Sequence, residues 1–169
     1  MLKVLILIGS SSDAPCMSKA KEVLDGLGIA CKMHITSAHR TPERTRDLVE
    51  KAGEAGCQVI ICGAGMAAHL AGAVAAETIM PVIGVPLTSG ASPLAGVDAL
   101  LSTVQMPPGM PVSTVAINGA KNAAWLAAQI LALSDPILVN KLHQAREVAL
   151  SEIYAADEKL QAGMDGSVE

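Results

Sequence analysis

The chain has 169 residues, 51% hydrophobic and 17% charged, too apolar for a disordered segment and the length of one compact domain. Aromatic residues make up 1%, against 28 Ala and 15 Gly, and the net charge is −4. That excludes modules that read bases or sugars by stacking on exposed rings, and it excludes a basic nucleic-acid or membrane-surface footprint.

In chain order, the opening run MLKVLILIG holds a lone Lys and too short an apolar stretch for a secretory leader, so it reads as a first strand, Val4–Ile8. A helix follows over residues 14–27, ended by Gly28. A second strand, 32–36, leads into a helix closed near Gly56, with Thr41 suited to the N-cap and Pro42 to the first helical position. Residues 58–76 carry no formal charge and would be long enough to span a membrane. They change, however, from Val59-Ile60-Ile61 to an Ala-rich stretch interrupted by Gly63, Gly65 and Gly72, which predicts a strand over 59–62 and a helix over 67–78. Strand 82–85, a long loop and a short helix at Val97–Val104 come next, then strand 113–117 and helix 122–133. Last is a long helix over 136–161, capped by Asp135, whose apolar stripe (Leu138, Leu142, Ala145, Ala149, Ile153, Ala156, Leu160) runs at spacings of 3 and 4. The tail, 162–169, is expected to fray.

Five strand–helix units predict a parallel sheet whose strands are apolar on both faces. The expected fold is α/β, a flavodoxin-like three-layer sandwich with strand order 2-1-3-4-5 plus the long C-terminal helix, forming one catalytic domain over 1–161. The wound core has little surface left for that helix, so it is expected to serve assembly. From Ala55 to Ala120 the only formal charges are Glu77 and Asp98, so the middle of the chain is expected to be buried, against its own core and against sister subunits. Cys16, Cys31, Cys57 and Cys62 are spaced by 15, 26 and 5 with no CxxC. They read as buried small hydrophobes in a reducing, cytoplasmic setting, with no metal site.

In doubly wound sheets ligands lie beyond the carboxyl ends of the strands, at the switch between strands 1 and 3. Three loops are thereby nominated. The first, Gly9-Ser10-Ser11-Ser12-Asp13, offers hydroxyls and N–H groups to phosphate or ribose oxygens; Asp13 suits either a ribose diol or a helix N-cap. The second, Ser37-Ala38-His39-Arg40-Thr41-Pro42, puts a guanidinium at a helix N-terminus, where the macrodipole disfavours it unless a ligand anion joins it. His39 beside it is a candidate general acid and base, or simply an exposed histidine. The third, residues 63–72, combines Gly63 and Gly65, for close backbone approach, with the small Ala67 and Ala68; His69 either lines the resulting space or packs under the loop. His34 and His143 read as structural.

At these loops the chain resembles the class I 5-(carboxyamino)imidazole ribonucleotide mutase family of de novo purine synthesis, through GSSSD (9–13), SAHRTP (37–42) and GAGMAAHLAG (63–72). Segments GVP (84–86), LLSTVQMPPGMPV (100–112) and NAAWLAAQIL (122–131) are similar to the family as well. Met66 and Ala71 stand where members often have Gly and Pro, and the loop 87–95 is slightly longer than in the shortest members. The resemblance implies a mutase that moves a carboxylate from the exocyclic amine to the ring carbon by releasing and recapturing enclosed CO2, with His39 catalytic. It implies that Gly9, Ser10, Ser12, Asp13, Ser37, Arg40, Gly65, Ala67, His69 and Leu70 bind the phosphoribosyl-aminoimidazole substrate, with no cofactor and no metal. It further implies a homo-octamer, and coupling to the ATP-dependent carboxyaminoimidazole ribonucleotide synthase that makes the substrate. The alternatives are a direct aminoimidazole ribonucleotide carboxylase using CO2, whose class replaces AAHL by an Arg-Ser-Asn type of loop, and a non-catalytic nucleotide-binding module.

Overall fold

A computed structural model describes residues 1–165 of the chain. They form β1 (Val4–Ile8), α1 (Ala14–Gly26), β2 (Cys31–Ile35), α2 (Pro42–Glu54), β3 (Val59–Gly65), α3 (Leu70–Ala75), β4 (Val82–Leu87), α4 (Val97–Val104), β5 (Ser113–Thr114), α5 (Ala120–Ala132) and α6 (Pro136–Asp165), with a 3-10 turn at Ser11–Asp13. By contact they divide into two compact units, Met1–Leu131 and the segment from Ala132 onward. Among the described residues no helix is long and apolar enough to cross a membrane.

The first unit is built on a parallel five-stranded sheet in the order β2-β1-β3-β4-β5, the flavodoxin-like arrangement expected. Every residue of β1 and β4 is buried, as are Val59 to Gly63 of β3, because helices cover both faces. Leu5, Leu7, Ile60 and Cys62 pack with Val49 and Ala52 of α2 and with Leu70, Ala71 and Val74 of α3. The alternate residues of β1 and β3 point to the opposite face. There, a Cβ on Gly63 would fall 2.6 Å from the sulfur of Met17, so the side chain of Met17 on α1 fills the space that the glycine leaves. In register, Ile8 faces Ile35 on one side and Gly63 on the other. Ile8 and Ile35, the last residues of β1 and β2, therefore lie level with Gly63 near the end of β3, and the loops that follow emerge side by side.

Several elements differ from the sequence expectation, each for a local reason. β2 is an edge strand and half exposed, so it is not apolar on both faces. β3 runs on to Gly65, pairing with β4 as far as Leu87. Met66 then takes a left-handed backbone (φ 55°) that turns the chain aside, and α3 begins only at Leu70. β5 pairs for two residues rather than five. Gly84 and Pro86 of β4 both direct their carbonyls toward it, accepting from Val115 N–H at 3.0 Å and Asn118 N–H at 2.8 Å, but Pro86 has no N–H to return. Thr41 occupies the N-cap position of α2, yet its hydroxyl makes no cap bond and turns to Ser37 instead. Cys57 and Cys62 are buried, whereas Cys16 and Cys31 are only half-buried.

The second unit is α6. Asp135 caps it as expected, its Oδ1 accepting from the N–H groups of Ile137 at 3.0 Å and Leu138 at 3.1 Å. The helix continues to Asp165, past the expected end at 161; the remainder of the expected tail, 166–169, lies outside the described residues. From Arg146 to Gly163 every residue of α6 is exposed, among them Val148, Leu150, Ile153, Tyr154 and Leu160.

Candidate active site

At the carboxyl ends of β1, β2 and β3 the three loops enclose a cleft of about 440 Å³. From the first loop it is lined by Gly9, Ser10, Ser12 and Asp13. The second contributes Ser37, Ala38, His39 and Arg40, and the third Ala64, Gly65, Met66, Ala67, His69 and Leu70. Every site residue expected from the sequence is thus brought to one cavity, whereas His34 and His143 are not among its lining. Ala68 is turned into the core. One lining residue has no counterpart in the sequence reading. Ser89 comes from the loop after β4, the strand next to β3, and lies close against Gly65: a Cβ placed there would be 3.2 Å from the Leu87 carbonyl and 3.4 Å from Ser89 Cβ.

The first loop is wound into the 3-10 turn, in which Ser12 donates from Oγ to Ser10 Oγ at 3.0 Å and the Ser12 N–H approaches the same oxygen at 3.4 Å. Asp13 stands at the N-cap position of α1 without capping it; its Oδ2 would be 3.6 Å from a Cβ on Gly9, so the carboxylate turns back toward the start of the loop. Of the two roles left open, the cap is therefore excluded. Burial pushes the Asp13 carboxyl above its ordinary value, partly offset by a backbone hydrogen bond at Ser10.

Arg40 ties the second loop to the first. Its Nη2 donates to the Gly9 carbonyl at 3.3 Å, and its Nε and backbone N–H donate to Ser37 Oγ at 3.4 and 3.3 Å. No carboxylate pairs with it among the described residues, whereas Arg46 is taken up by Glu77 through two bonds of 3.0 Å. A guanidinium held by neutral oxygens, between a serine-rich loop and a helix N-terminus, is set to receive an anion.

His39 is exposed and meets His69 across the cleft, with Nε2 and Nδ1 2.9 Å apart and the rings edge-on at 84°. One proton lies between the two nitrogens, so each ring sets which nitrogen of the other is protonated. His69 is also exposed, which settles its alternative: it lines the cleft rather than packing beneath the loop. Around the pair stand Ala64, Gly65 and Ala67, leaving small-molecule space beside an acid–base couple. Among the described residues no group of three or more His, Cys, Asp or Glu side chains converges as a metal site would require.

A family model described as AIR carboxylase matches residues 3–151. The chain belongs to the AIR carboxylase family. Among curated proteins, the N5-carboxyaminoimidazole ribonucleotide mutase of Pyrococcus abyssi is 54% identical over 147 residues, 87% of this chain and 83% of that one. The mutase of Thermotoga maritima is 48% identical over 161 residues, 95% of this chain and 93% of that one. The Escherichia coli mutase is 49% identical over 153 residues, 89% of each. Among solved structures, Treponema denticola PurE superposes with a TM-score of 0.85 at 31% identity, covering 95% of this chain and 99% of that one.

Proposed function

We propose that this member of the AIR carboxylase family is an N5-carboxyaminoimidazole ribonucleotide mutase, an isomerase that converts 5-(carboxyamino)imidazole ribonucleotide to 5-amino-4-carboxyimidazole ribonucleotide in purine synthesis. The observation that carries the reading is the His39–His69 couple at 2.9 Å, placed in the same cleft as the unpaired Arg40 and the serines of the first loop. The three mutases of about half-identical sequence support it.

On this reading Ser10, Ser12, Ser37 and Arg40 hold the 5′-phosphate and Asp13 holds the ribose diol. Gly9, Gly65, Ala67 and Leu70 shape the space for the base. His39, as imidazolium, gives its proton to the exocyclic nitrogen as the N–C bond of the carbamate breaks and CO2 is released. The ring carbon then attacks CO2, a C–C bond forms, and neutral His39 takes the proton from that carbon. Protons balance over the cycle, and His39 ends as it began. His69, bonded to His39 at 2.9 Å, holds its ring in place. The small, apolar Ala64, Gly65 and Ala67 of the same cleft leave room for a molecule the size of CO2 beside the base.

The assembly belongs to the same reading. On α4, Val97, Leu101 and Val104 are exposed along one face, while Ala99 and Thr103 turn inward. These side chains belong to the charge-poor middle of the chain and, with the exposed apolar residues of α6, would be covered in a homo-octamer. The enzyme would act in the cytoplasm, next in sequence after the synthase that makes its labile carbamate. Incubation with the carbamate ribonucleotide, following appearance of the 4-carboxy product, tests the activity. Binding without turnover would leave a nucleotide-binding module.

A further inference from the structure

We propose that Thr36, Thr41 and Thr45 form a positioning column under the loop 37–40, with the Thr36 hydroxyl as its hub; this rests on the reading of that loop as catalytic. Thr36 and Thr45 are two of the three buried polar side chains among the described residues, at 2% and 3% exposure. None of the three threonines lines the cleft. A buried hydroxyl is retained at a cost unless its bonds do something an apolar side chain could not.

The bonds converge on the loop. Thr36, the residue after β2, is anchored to the sheet by its N–H, which donates to the Ile8 carbonyl at 2.9 Å. Its Oγ1 lies 2.8 Å from Thr45 Oγ1 and 3.2 Å from Thr41 Oγ1. Thr45 Oγ1 in turn donates to the Thr41 carbonyl at 3.2 Å. Thr41 closes the loop from above: its Oγ1 accepts from Ser37 N–H at 2.9 Å, while its own N–H donates to the Ser37 carbonyl at 2.8 Å. That duty explains why Thr41 holds the N-cap position of α2 without capping it. The residues between, Ser37 to Arg40, all face the cleft. Sheet, loop and helix are thus joined through one hydroxyl, and the groups assigned to phosphate (Ser37, Arg40) and to proton transfer (His39) are held on a common base.

The experiment compares Thr36→Val with Thr36→Ser in the full-length protein. Val keeps the volume and branching and removes the hydroxyl; Ser keeps the hydroxyl and removes a methyl. Because a displacement of about 1 Å costs up to about 100-fold in catalysis, Thr36→Val is expected to lower kcat/KM by about 10- to 100-fold, with kcat falling and KM rising together. Thr36→Ser is expected to stay within about threefold of the parent while melting at a lower temperature. A column that merely packs the core would give the reverse order. Thr36→Val with parent kcat and KM, or Thr36→Ser as impaired as Thr36→Val, overturns the proposal. Thr45→Val, which removes the 2.8 Å bond and the bond from Thr45 Oγ1 to the Thr41 carbonyl but leaves Thr36 bonded to Thr41, is expected to show a smaller defect in the same direction, and it decides the matter if Thr36→Val does not fold. His39→Asn is run alongside. Full turnover by His39→Asn overturns the catalytic reading and the proposal with it. An inactive His39→Asn beside an unaffected Thr36→Val and Thr45→Val overturns the proposal alone.

Discussion

Replacing Arg40 by Met separates a ligand-binding arginine from a structural one. In the free protein its side chain makes two long bonds, 3.3 Å to the Gly9 carbonyl and 3.4 Å to Ser37 Oγ, on an exposed residue with no carboxylate partner. Such contacts hold the loop weakly, so the variant is expected to lose no more than about 0.5 kcal/mol of stability. Against a bound phosphate the same guanidinium would make charge-assisted bonds worth about 1.5–3 kcal/mol, which is about 12- to 160-fold in affinity. Steady-state kinetics should therefore show KM raised by about that factor, with kcat changed far less. The decisive control is the substrate nucleoside without its 5′-phosphate: on it, parent and Arg40→Met should be equally poor. An unchanged KM for the nucleotide, the same penalty on the nucleoside, or a large fall in melting temperature would each refute the phosphate assignment.

Asp13 is a stability liability on this account: burial raises its carboxyl above the ordinary value of 3.8, so its charged form disfavours the folded state. The penalty is absent below that ordinary value and sets in as pH rises through the raised one. Asp13→Asn should then melt higher than the parent at pH 7, lose that advantage as pH falls below about 3.9, and bind substrate more weakly; thermal denaturation over a pH series checks the sign. Met66 holds a left-handed backbone that costs a side-chain-bearing residue about 1–2 kcal/mol, while Gly there gives back about 0.5–1 kcal/mol in chain entropy, so Met66→Gly should melt at or above the parent temperature. For the assembly, light scattering at micromolar concentration should find a particle well above the 17.2 kDa of one chain, and Leu101→Asp should shrink it; a 17.2 kDa parent particle would contradict the octamer.

The cleft was legible because its chemistry lies in three short runs, each placed by the strand before it. Once Val4–Ile8, Cys31–Ile35 and Val59–Gly65 are recognised as neighbouring strands, GSSSD, SAHRTP and GAGMAAHLAG have to meet. Ser89 escaped because the switch-point rule points to strands 1 and 3, while the loop after β4 lies close against Gly65; that adjacency could have been read from the strand order. The start of α3 was misplaced because Ala-rich composition resembles helix, whereas Met66 and the pairing of Ala64 and Gly65 with β4 keep the chain out of one until Leu70. The threonines were read at most as a cap, since a hydroxyl network that crosses from strand to loop to helix has no period along the chain. The reaction itself came from resemblance: hydroxyls, an arginine and a histidine in that fold suit many phosphoribosyl compounds.

The most direct test of the mutase reading follows the carbon. With unlabelled carbamate ribonucleotide as substrate and labelled bicarbonate in the medium, forward turnover should give 5-amino-4-carboxyimidazole ribonucleotide carrying the substrate's own carboxylate and essentially no label. Product labelled at the level of the medium would show that the CO2 comes from solution, and would contradict the mutase reading in favour of direct carboxylation.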